Sequence, residues 1–143
     1  MARDQLAIVI RLRRTALDEA RHYLAECVAA EDRALAVLRG TEEELERQRR
    51  AAEQLTDDDT AVEAFAAWLA RYKPVAAQAE ADHEKSMAET ARARAALAAA
   101  RAAVEVAEEL HERRAEEARA AALRAEQQEM DEIGRSRRAS GPG

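Results

Sequence analysis

The stretch from Thr56 to Pro74, TDDDTAVEAFAAWLARYKP, holds the one cluster of helix-breaking signals before residue 134. Three consecutive aspartates compete for backbone hydrogen bonds and favour a turn, and Thr60 with Glu63 matches a helix-capping box. Proline is tolerated in the first turn of a helix but kinks its interior. We therefore predict a short helix from about Ala61 to Tyr72 and a second long helix that starts near Pro74.

The chain on either side of this break has the composition of long helices. Charged residues make up 36% of the chain and aromatic residues 3%. This composition is typical of coiled coils and too poor in large apolar side chains for a thick globular core. The first side carries a heptad repeat, with mostly small companion positions beside it. The repeat consists of Ile10, Leu17, Leu24, Leu38, Leu45 and Ala52, and the companions are Leu6, Ala20, Cys27, Ala34 and Leu55.

The second side is poorer in large apolar residues, and alanine dominates between Ala91 and Ala103. Small side chains let two helices approach closely, and Gly134 stands where a helix C-cap belongs. The prediction is an all-α fold, a long two-helix antiparallel coiled-coil hairpin with a short apical helix. It forms a single domain over residues 1–139, with an arm at 4–55, an apex at 56–74 and an arm at 75–133. A disordered tail at 140–143 follows.

An apex near Trp68 would bring the two termini of the hairpin together. Leu6 and Ile10 would then lie opposite Met130 and Ile133, so that the apolar residues at the two ends of the chain match.

Charge is concentrated at the same termini. Residues 1–14 hold four arginines against one aspartate and residues 134–143 hold three arginines, although the whole chain has a net charge of −6. This pattern predicts a basic tip, with Arg11, Arg13 and Arg14, that docks into an acidic socket of a partner protein. A merely solvated terminus is the alternative. Nucleic acid is not expected as a partner, because the acidic body repels phosphates and interleaved aromatic side chains for base stacking are missing.

Each of the three histidines follows a glutamate by three positions, in the pairs Glu19/His22, Glu80/His83 and Glu108/His111. This spacing supplies metal ligands in di-metal helical bundles. However, His22 faces away from the seam of Leu17 and Leu24, and the other two histidines are far apart along one helix. We expect no metal or other cofactor. We also expect no enzyme, because the sequence has no phosphate-binding loop and a two-helix hairpin offers no concave pocket.

The location predicted from the sequence is cytosolic. The single Cys27 excludes an internal disulfide. The apolar run from Leu6 to Ile10 is too short for a signal peptide, and no stretch approaches the roughly 20 apolar residues that span a bilayer.

Three of the four aromatic residues lie close together in the central stretch. Phe65, Trp68 and Tyr72, together with Leu69, follow helical spacing. They either plug the apex of the hairpin or form a patch for a partner, since aromatic residues are preferred interface anchors.

The two ends of the chain resemble the family of the flagellar export protein FliJ and its YscO-type relatives in injectisomes. The opening helix of that family is similar to Leu6-Ala7, Leu12, Leu17-Asp18-Glu19-Ala20 and Leu24-Ala25-Glu26. Its closing motif, in which Met-Asp-Glu precedes an apolar residue, is similar to Glu126-Gln127-Gln128-Glu129-Met130-Asp131-Glu132-Ile133.

The resemblance implies a stalk of a type III protein export system, similar to the central shaft of rotary ATPases. Its paired termini would insert into the hexameric export ATPase ring, and its middle would contact the cytoplasmic domain of the export-gate membrane protein. Export chaperones are further implied partners. The protein would act in the cytoplasm at the inner-membrane export apparatus, peripheral to the membrane through its partners only. The ring contacts would be Leu6, Ile10, Arg11, Arg13, Arg14, Met130, Asp131 and Ile133, and the gate contacts Phe65, Trp68, Leu69 and Tyr72.

Two other hypotheses remain open. The first is a generic coiled-coil scaffold or chaperone adaptor that self-associates through the same seam. The second is a metal-binding bundle formed by dimerisation.

Overall fold

Two α-helices account for nearly all of the chain in the computed structural model, which describes residues 2–55 and 58–141, with side chains from Gln5 onward. Helix α1 spans Ala2–Gln54 and helix α2 spans Asp59–Ala139. Strands are absent from the described residues. The prediction of an all-α two-helix hairpin is confirmed.

Contacts within the chain group into two units, and each unit contains a part of both helices. Unit 1 comprises Met1–Ala16 and Ala100–Gly143, and unit 2 comprises Leu17–Ala99 with the turn between the helices.

Asp58 precedes the first residue of α2, Asp59. The Asp58 Oδ1 accepts a hydrogen bond from the Thr60 N–H at 3.0 Å, and the Asp58 carbonyl accepts one from the Ala61 N–H at 3.1 Å. Asp58 is therefore the N-cap, and the expected capping box of Thr60 and Glu63 is corrected. Thr56 and Asp57, which we also placed in the break, lie outside the described residues.

The separate apical helix predicted between residues 61 and 72 is also corrected. Those residues are helical, but they are the first turns of α2, which continues through Pro74 without interruption. Pro74 therefore lies in a helix interior rather than at a helix start. The turn falls near Asp58 instead of Trp68, because an aspartate N-cap and a good helix-forming sequence after it let α2 start early.

The seam predicted for α1 is confirmed in unit 2 except at Leu55, which is 54% exposed. Leu17, Cys27 and Thr41 of α1 are buried, and the heptad residues between and beyond them are half-buried. On α2 the seam consists of small residues with one leucine, namely Ala79, Thr90, Ala93 and Leu97. The Thr90 Oγ1 donates to the Cys27 carbonyl at 3.3 Å and to the Ser86 carbonyl at 3.0 Å. The bond from Thr90 to the Cys27 carbonyl joins the two helices at a fully buried position.

In unit 1 the start of α1 packs on α2 much earlier than expected. Leu6 and Ile10 form a buried cluster with Ala107, so their predicted match with Met130 and Ile133 is wrong. The physical reason is the early turn, which moves every pairing along α2 toward lower residue numbers.

The C-terminal end of α2 also differs from the prediction. The helix continues through Gly134, where we expected a C-cap, and ends at Ala139. The Ser140 N–H and hydroxyl both donate to the Ser136 carbonyl, at 3.0 and 2.9 Å. In the predicted tail, Ser140 and Gly141 form a turn and a bend, whereas Pro142 and Gly143 lie outside the described residues.

Candidate functional site

The last part of α2 is not covered by α1. Ala115 is half-buried, but every residue from Glu116 to Ile133 is exposed. We refer to residues 116–139 as the uncovered segment. Its large apolar residues Leu123, Met130 and Ile133 are 66%, 70% and 52% exposed.

These three apolar side chains lie on one side of the helix. Leu123 and Met130 are seven positions apart and Ile133 follows three positions later, and both spacings bring side chains onto the same helical face. Asp131, also predicted as a ring contact, is exposed beside Met130. An apolar face that its own chain leaves in water is a candidate interaction site.

The start of α1 adds a second set of exposed apolar residues. Ile8, Val9 and Leu12 are 54%, 39% and 63% exposed, whereas Leu6 and Ile10 are buried. Sequence analysis missed this set. The signal was the unbroken apolar run from Leu6 to Ile10, because a helix that packs against a single partner can bury only one stripe of such a run.

The predicted basic tip is not formed, because Ile10 at the start of α1 clusters with Ala107, far along α2 from Arg135. Arg14 is held by its own chain, since its Nη2 and Nε donate to the Glu108 Oε1 at 2.7 and 3.2 Å. Arg11 and Arg13 are exposed on α1. Arg135, Arg137 and Arg138 are exposed in the uncovered segment, and Arg137 and Arg138 lie in the last turn of α2, where positive charge is favoured by the helix dipole.

The predicted aromatic patch is present in unit 2 as a stack of rings on the first turns of α2. The ring centroids of Phe65 and Trp68 are 6.1 Å apart, and those of Trp68 and Tyr72 are 4.6 Å apart with an interplanar angle of 17°. All three rings and Leu69 are half-buried. Each therefore packs with one side and presents another to solvent, and we refer to these four residues as the aromatic ladder.

An array of ion pairs lies on α1 within the same unit. Hydrogen bonds from Gln48 and Arg47 lower the pKa of the Glu44 carboxyl. Hydrogen bonds from Arg49 and Arg50 lower the pKa of the Glu46 carboxyl. The array keeps this part of α1 charged and hydrated.

Residues 2–55 and 58–141 contain no group of three or more histidine, cysteine, aspartate or glutamate side chains placed to hold a metal ion. None of the described helices is long and apolar enough to cross a membrane.

Comparison with known families relates the chain to one of them. The family described as Flagellar FliJ protein matches residues 1–141 of the 143-residue chain. Comparisons with curated proteins and with solved structures gave no match.

Proposed function

This chain belongs to the FliJ family of flagellar export components, which are not catalytic, and we propose that it is the central stalk of the type III export ATPase complex. In this proposal the surface of unit 1 inserts into the hexameric ATPase ring, and the aromatic ladder of unit 2 binds the cytoplasmic domain of the export-gate membrane protein. Export chaperones are further proposed partners. The protein would act in the cytoplasm, at the inner-membrane export apparatus.

The uncovered segment of α2 is the observation that carries the ring contact. Its apolar face of Leu123, Met130 and Ile133 stays in water in the isolated chain. Covering such a face is favourable by about 25 cal/mol for each Å² of apolar surface removed from water. A ring with an apolar lining in its central opening would supply that cover around a single helix.

The start of α1 extends the proposed contact. Exposed apolar surface is offered there by Ile8, Val9 and Leu12, whereas Leu6 and Ile10 are buried. We therefore assign Leu6 and Ile10 to holding α1 on α2 and assign direct ring contact to their exposed neighbours. Arg11 and Arg13 would provide the charge that steers the encounter with an acidic surface of the ring.

The aromatic ladder is proposed as the gate contact. Stacked and half-exposed rings lose little conformational entropy on binding, because the stack already fixes their orientation. Tryptophan and tyrosine are also the residues that most often dominate binding energies at interfaces.

Binding to the purified hexameric export ATPase tests the ring contact. The variant Leu123→Gln/Met130→Gln/Ile133→Gln keeps good helix-forming residues and removes the apolar face. We expect its affinity for the ring to fall about tenfold or more, equivalent to at least about 1.4 kcal/mol. The control is Val62→Gln/Met87→Gln, which changes two α2 residues of unit 2 that are 51% and 48% exposed. Equal binding by both variants and the wild type would contradict the ring contact.

The scaffold hypothesis makes a different prediction for the isolated chain. A stalk is expected to sediment at equilibrium with the 15.8 kDa mass of one chain. A scaffold that self-associates would show a stable multiple of that mass without any ATPase. Retention of the ATPase in a pull-down by the single-chain species would support the stalk over the scaffold.

A further inference from the structure

Unit 2 contains two residues that destabilise the helices in which they lie. Neither is needed there for close packing or for an unusual backbone conformation. Gly40 lies inside α1, and a Cβ added to it would have open space around it, with nothing within 4 Å. Its backbone is helical and its φ is not positive. A glycine in a helix interior stabilises the helix less than alanine does. Neither close packing nor backbone conformation explains its presence.

Pro74 is the second of these residues. It lies well inside α2, which begins at Asp59. A proline there has no N–H to donate to the carbonyl of Ala70, four residues earlier, and its ring crowds that carbonyl. Proline is the least favourable residue in a helix interior. Pro74 is exposed, so packing of its ring against α1 does not offset this effect.

The two weak points lie at the same level of the helix pair. Thr41, the residue after Gly40, and Pro74 line one open groove between α1 and α2, together with Val37, Val75, Gln78, Ala79 and Asp82. In a pair of helices, a weak point in one helix is supported by an intact partner beside it. Here neither helix can support the other, because each is weakened at the same level of the pair.

The packing at this level is also thin. Thr41 occupies the seam in place of a large apolar residue and is only 6% exposed. Its Oγ1 donates to the Leu38 carbonyl at 2.7 Å, a side-chain bond of the kind that often bends helices. Val37 and Val75 on the groove are 59% and 51% exposed. Little apolar contact between the two helices would therefore be lost if the groove opened.

We propose that the hairpin has a hinge at the level of Gly40, Thr41 and Pro74. The part of unit 2 on the turn side of the hinge, which carries the aromatic ladder, changes direction relative to the part on the other side. The open groove gives the bend its direction, because the helices can approach each other there without a clash. The hinge is a property of the isolated chain and does not depend on the proposed stalk role.

Spin-label distance measurements on the full chain test the hinge. Labels at Asp32→Cys and Ala51→Cys, both at exposed positions of α1, lie on opposite sides of Gly40. They are about 28 Å apart along a straight helix. Cys27→Ala removes the native thiol. We expect a broad distance distribution in the otherwise wild-type chain and a narrow one centred near the straight-helix value in Gly40→Ala/Pro74→Ala. Each single substitution should also narrow the distribution, because one repaired helix supports the other.

Gly134→Ala is the matched control. Gly134 is also a helical glycine, and a Cβ added to it would meet nothing within 4 Å, but no proline of a partner helix lies at its level. We expect it to leave the label distances unchanged. Hydrogen exchange on the chain with its native Cys27 gives a second measurement. Amides at 40–45 and 75–79 should exchange about tenfold or more faster than in Gly40→Ala/Pro74→Ala. A distribution in the glycine-proline chain as narrow as in the double variant, with equal amide exchange, would overturn the hinge.

Discussion

Ala93 shows how closely the two helices approach in unit 2. It is 1% exposed, and Thr90, one turn earlier on the same face, is completely buried. The hydroxyl of Thr90 shares its single proton between the carbonyls of Cys27 and Ser86. Side chains of this size fill the space between the helices, so the fit depends on small volume rather than on large apolar area.

The substitution Ala93→Leu separates these two effects. If buried apolar area alone decided stability, the larger leucine side chain would stabilise the seam. If the seam is already filled, the same side chain would strain the packing between the helices. We expect Ala93→Leu to lower the free energy of unfolding by about 1–3 kcal/mol, measured by urea denaturation followed by circular dichroism. The control is Ala91→Leu at an exposed position, which should change stability by less than about 0.5 kcal/mol. A stabilised Ala93→Leu variant would show that the helices have room to spare at this point.

At the scale of the helix, α1 and α2 differ in how they are held. The unit 2 part of α1 carries most of the large seam residues and the ion-pair array of Glu44, Glu46 and their arginines. Helix α2 contributes mainly small residues to the seam, and its last part is uncovered. Loss of charge in the array should therefore lower the stability of α1.

The array predicts a pH dependence of stability. The pKa values of the Glu44 and Glu46 carboxyls are lowered in the folded chain by their hydrogen bonds. Their stabilisation is therefore present above the unfolded value of 4.5 and is lost as the pH falls through the lowered folded values. We expect the thermal midpoint to drop below about pH 4.5 less steeply in Glu44→Gln/Glu46→Gln than in the wild type. Glu26→Gln/Glu42→Gln, outside the array, should retain more of the wild-type slope.

For the whole molecule, charge has opposite signs in different parts of the sequence. The chain is acidic overall, with a net charge of −6, yet arginines cluster near both termini. Charge separated in this way affects the rate of association more than the final affinity.

Reversal of two arginines tests this effect. Arg11→Glu/Arg13→Glu leaves the Arg14–Glu108 pair intact, so α1 should remain folded on α2. We expect the association rate with the export ATPase to fall about tenfold or more at low salt and the difference to shrink as salt screens the charges. The control Arg33→Glu/Arg94→Glu makes the same change in net charge at exposed positions of unit 2. If both pairs slow association equally, net charge rather than the position of Arg11 and Arg13 is responsible.

Part of the candidate site could be predicted from sequence and part could not. The aromatic ladder follows from local spacing, since one helix fixes which side chains are neighbours. The exposure of Met130 and Ile133 does not follow from it, because they were expected to pack opposite Leu6 and Ile10. Leu6 and Ile10 were expected on a partner surface, and instead they are buried while Ile8, Val9 and Leu12 are exposed. Which stripe of an apolar run is buried depends on where the partner helix lies, and local spacing does not contain that information.

The sequence by itself determined the helical hairpin, the helix break at the aspartates and the heptad seam of α1. Each of these depends on helix propensity, capping or periodicity, which act within a few residues. The family was recognised instead from the resemblance of specific residues at the two ends of the chain. Only the tertiary structure decided the register of the two helices, which places Ala107 rather than Met130 against Ile10 and leaves residues 116–133 in water. Register depends on the residue at which the turn closes and on how closely small side chains pack across the seam, and a shift of the turn by a few residues moves every contact between the helices.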